Sequence, residues 1–487
     1  MAIYKHGVYG EQIPFTGNTA TNAMGTIPAY IGTAPIHKLN VNGSADFDYT
    51  PYINKPVLIS KYKDVETKLG YSSDWANMTL CEAISAHLLV GSSPIAPIIC
   101  INMADPKKLA VSETEKQITL SGKTGDKTGY LDDSLAAIEN ITLGELTSGD
   151  YTMSYEDEKI KIHITKEDFS DGTITATYNQ IDVTQTTLNA AAFQKALDAL
   201  DICEIITGKI PNIIAAPSWS HIPDYHAAMV AKNKIAQKWH AITVSDIPSD
   251  RSTNTKELAI QWAKTNNYTN KFDKILWPMA VYNGQRYHLS TLACVDMQTT
   301  DTNAGGIPYI SPSNKAINID GTILADGTAI YMPEYEANEL NAVGITTVNV
   351  VNGELRLWGS HMSNYNFENK ENIKPEDLQD SSIRTGLYLL NYLQKNYIDN
   401  IDTPITKRDI DAIIASVQQW LNGLVNAGQL LYGTISFENS DNTLDDIASG
   451  DFVFNVQNTT TPNAKSLTFR SQYTTEGLSS LMEGEST

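Results

Sequence analysis

The sequence contains only four cysteines in 487 residues: Cys81, Cys100, Cys203 and Cys294. No two of them form a Cys-x-x-Cys pair, so the spacing typical of zinc sites and thiol redox motifs is missing. We interpret all four as reduced, buried thiols rather than as disulfides or metal ligands. The sequence therefore predicts no metal site and no cofactor.

Basic residues are scarce relative to acidic ones, since 35 Lys and Arg stand against 56 Asp and Glu, a net charge of −21. Proteins that bind nucleic acid normally carry a basic surface, so this balance argues against a nucleic-acid partner. Long apolar runs are also missing: the richest, Pro94–Ile101, is far short of the roughly 20 residues that span a bilayer. The first residues lack the pattern of a secretory signal. We expect synthesis in the cytoplasm and no membrane insertion.

Catalytic motifs are incomplete. Ser121–Thr124 resembles the end of a phosphate-binding loop, but Gln117 stands where that loop needs its first glycine. His221 and His226 are five residues apart, whereas zinc-binding helices space histidines by four. No Gly-x-Ser-x-Gly elbow is present. We predict no catalytic residue, and we expect that the protein is not an enzyme.

The remaining pattern is typical of a multidomain α+β protein, because the chain is too long for one compact core. Short apolar strands alternate with helices, which predicts a mixed, mainly parallel α/β core domain. The predicted strands are Ile27–Ala34, Ile98–Ile101, Ile213–Ala216, Ala241–Val244 and Ile275–Trp277. The predicted helices cover residues 78–90, 188–201, 224–239 and 255–265.

Residues 107–183, here called the insert, interrupt this core domain of residues 26–106 and 184–369. The insert is dense in Thr, Asp, Gly, Lys and Glu, and it contains the alternating runs Ile160–Ile164 and Ile174–Tyr178. Such alternation predicts β-hairpins. We interpret the insert as a small inserted β domain, and we expect it to face outward.

The C-terminal segment of residues 370–460 is predicted to form an α+β domain. After a helix at about residues 383–398, Thr406 and Asp409 have the spacing of a capping box for a second helix that ends near Ala427. Strands at Thr434–Phe437 and Phe452–Val456 are predicted to follow.

Both ends of the chain, residues 1–25 and 461–487, have the character of extended arms. Each contains β-forming residues without a helical period, and Leu467–Arg470 is the last alternating run. An extended arm cannot bury a core by itself, so it must dock elsewhere if it is to be ordered.

Several segments resemble the tail sheath family of contractile phage tails and related bacteriocin particles. They occur in the family's order over most of the chain, apart from the insert. In chain order they are His6–Tyr9, Ile27–Ala34, Gly305–Pro308, Ser311–Lys315, Asn338–Ile345, Leu357–Gly359 and Pro404–Thr406.

This resemblance implies a structural subunit that polymerises into stacked hexameric rings around an inner tube. The resulting helical polymer would contract and drive the tube through a target cell envelope. The implied partners are further copies of the chain, the inner tail tube protein, and baseplate and tail terminator proteins. The implied location is a virion tail or phage-tail-like particle assembled in the bacterial cytoplasm.

The resemblance also implies that both arms add strands to a sheet in the C-terminal domain of neighbouring subunits. The predicted arm residues are Ile3, Tyr4, Val8, Tyr9, Leu467 and Phe469. The predicted acceptor sheet contains Ile435, Phe437, Phe452 and Phe454. Because the C-terminal domain resembles the inner domain of the family, Lys407 and Arg408 are predicted to face the tube.

Two other classes of protein stay open. An α/β enzyme with a β insert would need a pocket with convergent polar groups, and the sequence offers no such constellation. A surface-layer or adhesin-type protein would normally carry a signal peptide.

Overall fold

The computed structural model describes residues 24–90, 94–156 and 158–481. The predicted arm residues Ile3, Tyr4, Val8 and Tyr9 lie outside this part of the chain. Helices and several separate sheets alternate along the described residues, so the predicted α+β multidomain class is confirmed.

The first part of the chain forms one side of the largest sheet. Its strands β1 and β3 are buried along their whole length, because both are continuous apolar runs that other layers cover on each face. The elements are β1 (Pro28–Gly32), β2 (Pro56–Ile59), α1 (Tyr62–Lys68), α2 (Leu80–Leu88) and β3 (Ile98–Asn102).

The insert starts and ends in the same antiparallel pair, β4 and β10. Two sheets, ordered β4-β10-β7 and β5-β6-β9-β8, enclose a hydrophobic cluster of their own. The strands are β4 (Leu109–Thr119), β5 (Ser121–Lys123), β6 (Asp126–Leu131), β7 (Thr142–Leu143), β8 (Tyr151–Glu156), β9 (Lys159–Ile164) and β10 (Thr173–Ile181).

The insert also contacts the main body. Glu158 accepts a hydrogen bond from the Ser72 hydroxyl at 2.8 Å and lies 3.4 Å from the Lys38 ammonium group. The Tyr49 hydroxyl donates to Glu139 at 2.5 Å. These polar contacts hold the insert against the core domain in addition to the chain connections through β4 and β10.

After the insert, helices and strands of the large sheet alternate again. These elements are α3 (Ala190–Asp198), α4 (Cys203–Thr207), β11 (Ile213–Ala215), α5 (Pro223–Ala231), β12 (Lys234–Ile235), β13 (Trp239–His240), β14 (Ile242–Asp246), α6 (Lys256–Thr265) and β15 (Asp273–Leu276).

The predicted helix over residues 224–239 is wrong in its second half. Helix α5 ends at Ala231, and the strands β12 and β13 pair as a small hairpin. Ala236 and Gln237 between them have positive φ angles of 51° and 57°, which no α-helix can contain.

The next segment adds a small sheet ordered β17-β16-β18-β19 and completes the large one. Its elements are β16 (Met279–Tyr282), β17 (Gln285–Tyr287), α7 (Leu289–Asn303), β18 (Gly321–Ile323), β19 (Ala329–Ile330), α8 (Glu334–Asn341), β20 (Ile345–Val351) and β21 (Glu354–Trp358).

The large sheet has eight strands in the order β2-β3-β1-β11-β14-β15-β20-β21. The six central strands run parallel, and the edge strands β2 and β21 are antiparallel to their neighbours. This arrangement confirms the predicted mainly parallel sheet.

The C-terminal elements are α9 (Asp380–Asn396), α10 (Lys407–Asn426), β22 (Leu430–Ser436), α11 (Leu444–Ser449) and β23 (Asn455–Thr460). The strands β22 and β23 form a separate antiparallel two-stranded sheet. Buried residues of α9 and α10, such as Leu389 and Leu421, share one hydrophobic cluster with Ile31 and Ile214 of the large sheet.

Candidate assembly surface

Helix α10 packs closely on the two-stranded sheet. Its buried residues Val417, Leu421 and Leu424 meet Leu430 and the rest of β22, because apolar residues recur at helical spacing on this face. Strand β22 has a glycine at the closest point, where a Cβ on residue 433 would lie 3.1 Å from the Cβ of Leu421. The close approach makes the helix and the sheet one unit.

The capping box at the start of α10 is confirmed. The backbone N–H and hydroxyl of Thr406 both donate to Asp409, at 2.9 Å and 2.6 Å. These hydrogen bonds lower the pKa of the Asp409 carboxyl. Lys407 and Arg408 follow Thr406 and are exposed in the first turn. Cations oppose the helix dipole at this end, so helix stability does not account for their position.

Of the four predicted acceptor residues, Ile435 alone lies within a strand, namely β22. The predicted strand Phe452–Val456 is displaced, since β23 starts at Asn455. Phe437, Phe452 and Phe454 instead cluster beside the sheet, with ring centroids 6.5 Å apart for Phe437–Phe452 and 5.2 Å for Phe437–Phe454. These three residues were predicted to lie in strands of the acceptor sheet, and they instead pack against one another at the strand ends.

Gln418 of α10 hydrogen-bonds to the backbone of β22. Its Nε2 donates to the carbonyl of Gly433 at 2.9 Å, and its Oε1 accepts from the N–H of Ile435 at 3.2 Å. The hydroxyl of Thr434 also donates to Oε1, at 3.2 Å. One side chain thus satisfies two main-chain groups that a neighbouring strand could otherwise use.

Asn463 anchors the chain after β23. Its Nδ2 donates to the Tyr309 carbonyl at 3.0 Å and to the Ser381 hydroxyl at 2.7 Å, and its Oδ1 accepts from the N–H of Ser311 at 3.2 Å. Its backbone N–H donates to Gln379 at 2.8 Å, and its carbonyl accepts from Gln379 at 2.7 Å. This half-buried residue binds the start of the C-terminal arm to the core domain.

Beyond Asn463, the chain borders a surface groove of 610 Å³ that Tyr365 and Phe367 help to line. The Lys465 ammonium group lies 5.5 Å from the centre of the Tyr365 ring and 5.9 Å from that of Phe367. Leu467 and Phe469 follow outside every described helix and strand, with exposed fractions of 74% and 91%. Two large apolar side chains in one short segment therefore stay mostly exposed within the described part of their own subunit.

The first turns of α9 bind the starts of both arms. Arg384 pairs with the buried Asp301, which also accepts a hydrogen bond from the Thr26 hydroxyl, just after the N-terminal arm. Ser382 accepts a hydrogen bond from Thr460, the last residue of β23, at 2.9 Å. Thr26 and Thr460, which border the two arms, thus both lie close to α9 and its ion pair.

The four cysteines are free and buried, as predicted. Burial raises the pKa of Cys81 to about 12, and that of Cys294 likewise to about 12, so these thiols stay protonated. Within the described ranges, no group of three His, Cys, Asp or Glu side chains could hold a metal ion. Likewise, no described helix is both long and apolar enough to cross a bilayer.

Comparison with known sequences gives relatives that share one description. The tail sheath protein of Burkholderia phage BcepMu is 25% identical over 514 residues, which cover 99% of each chain. A putative prophage major tail sheath protein of Pseudomonas aeruginosa (strain UCBPP-PA14) is 25% identical over 56% of this chain and 67% of its own. The major tail sheath protein of Serratia phage KSP20 is 27% identical over 34% of this chain and 39% of its own. No family model matches the sequence.

Two solved structures share the fold over nearly the whole chain. One is a chain from the baseplate of the anti-feeding prophage, with a TM-score of 0.56, 12% identity, and coverage of 97% of this chain and 100% of that chain. The other comes from the sheath complex of an extracellular contractile injection system, PVC, in its contracted state. Its TM-score is 0.54 at 11% identity, and the coverage is 98% and 99%.

The chain is thus similar over nearly its full length to a contractile-phage tail sheath protein, and it shares its fold with chains of two contractile particles. The resemblance noted in the sequence is thereby confirmed. The relatives also support the prediction that the chain is structural rather than enzymatic.

Proposed function

We propose that this chain polymerises into stacked hexameric rings around an inner tube and that the resulting sheath contracts to drive the tube through a target cell envelope. The likeness to the BcepMu tail sheath protein over 99% of both chains supports this proposal. The observation that carries it is the exposure of Leu467 and Phe469, 74% and 91%, in a segment that lies outside every described strand. Apolar side chains arranged in this way gain burial when a strand joins another subunit.

The arms would keep subunits connected while the sheath changes length. A strand added to a sheet edge is held by main-chain hydrogen bonds, each of which contributes about 0.5–1.5 kcal/mol, so a few bonds per arm suffice. Heterologous contacts that do not close into a ring generate helical tubes. The core domain and the insert would gain contacts in the short state, which makes the long state metastable.

We propose partners and an orientation for the subunit on the same basis. The exposed Lys407 and Arg408 at the start of α10 would face the tube protein, and the insert would face outward. Other copies of the chain, baseplate proteins and a tail terminator would complete the assembly in a virion tail or phage-tail-like particle. Assembly would take place in the bacterial cytoplasm.

Negative-stain electron microscopy of the purified full-length protein tests the proposal. Hollow tubes or striated sheaths are the expected result. A protein that stays monomeric at high concentration, with both chain ends folded onto their own subunit, would contradict it. Deletion of residues 1–20 should leave a folded protein that forms no tubes, and normal tubes from this truncation would contradict the arm mechanism.

A further inference from the structure

The insert and the core domain meet at a polar interface. The carboxylate of Glu158 accepts hydrogen bonds from the Ser72 hydroxyl at 2.8 Å and from the Ser73 N–H at 3.0 Å. The Ser134 hydroxyl donates to Asp74 at 2.5 Å. The hydrophobic cluster of the insert consists of insert residues, so its burial does not require the core domain. Polar interfaces between domains resemble transient contacts between proteins, and domains joined in this way are expected to move relative to each other.

Both chain connections of the insert lie at one end of the strand pair β4–β10. The register of this pair ends at Leu109 and Ile181, and beyond it the N–H of Asp182 donates to the carbonyl of Lys108 at 3.0 Å. Glu158, by contrast, belongs to the turn between β8 and β9. Hinges in proteins are formed by a few residues at the ends of such elements. The residues around Lys108 and Asp182 can therefore serve as the hinge of the insert.

His37 of the core domain is covered by a residue of the insert. It lies in the short 3-10 helix Ile36–Leu39 with 1% of its surface exposed. The ring of Tyr155 from β8 packs edge-on against it, with 5.8 Å between the ring centroids. The Nδ1 atom of His37 is buried and has no hydrogen-bond partner among the described residues. Because an imidazolium donates from both ring nitrogens, protonation in this position would leave a buried donor unsatisfied.

The surroundings of His37 also disfavour its protonated form electrostatically. Burial, and after it the charge of Lys38, lowers the pKa of His37 to about 3, while Asp133 opposes the shift. The Asp133 carboxylate is itself bound by Lys116 at 3.1 Å and by the Tyr178 hydroxyl at 2.5 Å. The further titratable groups of this interface are Tyr49 and Asp74 of the core domain and Glu139, Tyr155 and Glu158 of the insert. While the insert covers it, His37 therefore stays neutral over the pH range in which histidine normally titrates.

We infer that the insert is a hinged module that swings away from the core domain when His37 takes up a proton. The inference concerns a single subunit and goes beyond the proposed function, which does not depend on it. Once Tyr155 no longer covers the ring, the pKa of His37 returns to its usual value of about 6.5. Below that pH the open form binds a proton that the closed form does not bind, so acid favours opening. Between pH 7.5 and 5.0 the ratio of open to closed molecules should rise about 30-fold.

Hydrogen exchange of the Ser73 amide in the monomeric full-length protein measures opening, because this N–H bonds to Glu158 across the interface. Its protection, corrected for the intrinsic exchange rate at each pH, should fall about 30-fold from pH 7.5 to pH 5.0. The amides of Ile162 and Cys100 lie in the inner strands β9 and β3. They should stay more strongly protected than Ser73 at both pH values, since both domains remain folded. Equal protection of Ser73 at the two pH values would overturn the inference.

A substitution of His37 identifies the group that takes up the proton. In His37→Asn the protection of Ser73 should change by less than about threefold over the same pH range, because asparagine does not titrate. His163→Asn is the matched control, since His163 pairs with Asp126 within the insert and has 40% of its side chain exposed. This control should keep the change of about 30-fold. A full pH dependence in His37→Asn would contradict the assignment.

Glu158→Gln gives an independent test that leaves His37 in place. Loss of the ion pair with Lys38, 3.4 Å away, should weaken the protection of Ser73 by up to about fivefold at both pH values and keep the pH dependence. If the pH dependence disappears in Glu158→Gln and persists in His37→Asn, the carboxylate takes up the proton and the inference is wrong. If the protection of Ile162 and Cys100 falls to that of Ser73 at pH 5.0, the whole subunit unfolds and no hinge opening takes place.

Discussion

The ammonium group of Lys274 lies 2.8 Å from the carboxylate of Asp380, and both side chains are completely buried. Lys274 also donates to the carbonyls of Gly359 at 2.8 Å and His361 at 3.3 Å. Burial by itself would raise the pKa of Asp380, but the charge and the hydrogen bond of Lys274 lower it overall. This pair fastens α9, from which the C-terminal domain continues, to strand β15 of the large sheet.

Replacing Lys274 with methionine should destabilise the fold by about 3–5 kcal/mol, because Asp380 is then left buried without its ion-pair partner. Urea unfolding at neutral pH measures the loss. Lys271→Met is the matched control, since Lys271 pairs with Asp377 at 3.3 Å with 44% of its side chain exposed. That exposed pair should contribute at most about 1 kcal/mol. Equal stability of the two variants would show that the buried pair does not fasten α9.

Acid should weaken the fold through His87. This buried side chain contacts the Tyr30 hydroxyl at 2.7 Å, and burial lowers its pKa to about 4. The unfolded chain takes up a proton near pH 6.5 while the folded chain does not, so stability is lost as the pH falls below that value. Between pH 7.5 and 5.0 the loss from this one residue is about 2 kcal/mol.

Urea unfolding at these two pH values for the wild-type protein and for His87→Gln checks this expectation. The difference between the two pH values should be smaller by about 2 kcal/mol in the variant. Burial also lowers the pKa of His37, to about 3. Because His37 is present in both proteins, part of the pH dependence of stability persists in the variant. An unchanged difference would mean that His87 does not titrate as described.

Asn463 should control how tightly the C-terminal arm is held to its own subunit. Asn463→Ala removes three side-chain hydrogen bonds, to Tyr309, Ser311 and Ser381. Since each bond contributes about 0.5–1.5 kcal/mol, trypsin should cleave after Lys465 at least about tenfold faster. Asn455→Ala, which removes an exposed hydrogen bond to Asp441, is the control and should leave this cleavage rate unchanged. If Asn463→Ala is cleaved no faster than the control, Asn463 does not hold the C-terminal arm to its own subunit.

The sequence predicted five strands of the central sheet, β1, β3, β11, β14 and β15, because each is a short apolar run. The capping box of α10 could also be predicted, because Thr406 and Asp409 are close in sequence. The hairpin after Ala231 was not predicted, because Ala236 and Gln237 are not residues that indicate positive φ angles.

The contacts of the candidate assembly surface could not be derived from sequence patterns. Lys274 stands in a strand where lysine is normally exposed, and its partner Asp380 is 106 positions away. Asn463 follows a proline, which indicates a turn. The sequence gives no sign of its contacts with Tyr309 and Gln379. Gln418 looks like an ordinary polar residue of a helix, and its contact with β22 depends on how α10 crosses the sheet.

Charge reversal at the start of α10 tests the proposed tube contact. Lys407→Glu combined with Arg408→Glu should abolish co-sedimentation with the inner tube protein. The same change should leave monomer stability unchanged or raise it by about 0.3–1 kcal/mol per residue, because acidic side chains favour a helix N-terminus. Normal docking to the tube by this variant would remove support for the orientation.

In the proposed function, subunits are joined by a segment that has no strand partner among the described residues of its own subunit. The most direct test is negative-stain microscopy of Leu467→Asp combined with Phe469→Asp, with thermal unfolding of the same sample. Both side chains are exposed in the monomer, so the melting temperature should change little while tubes disappear. Tubes of normal appearance, or losses of assembly and monomer stability that match each other, would contradict the account.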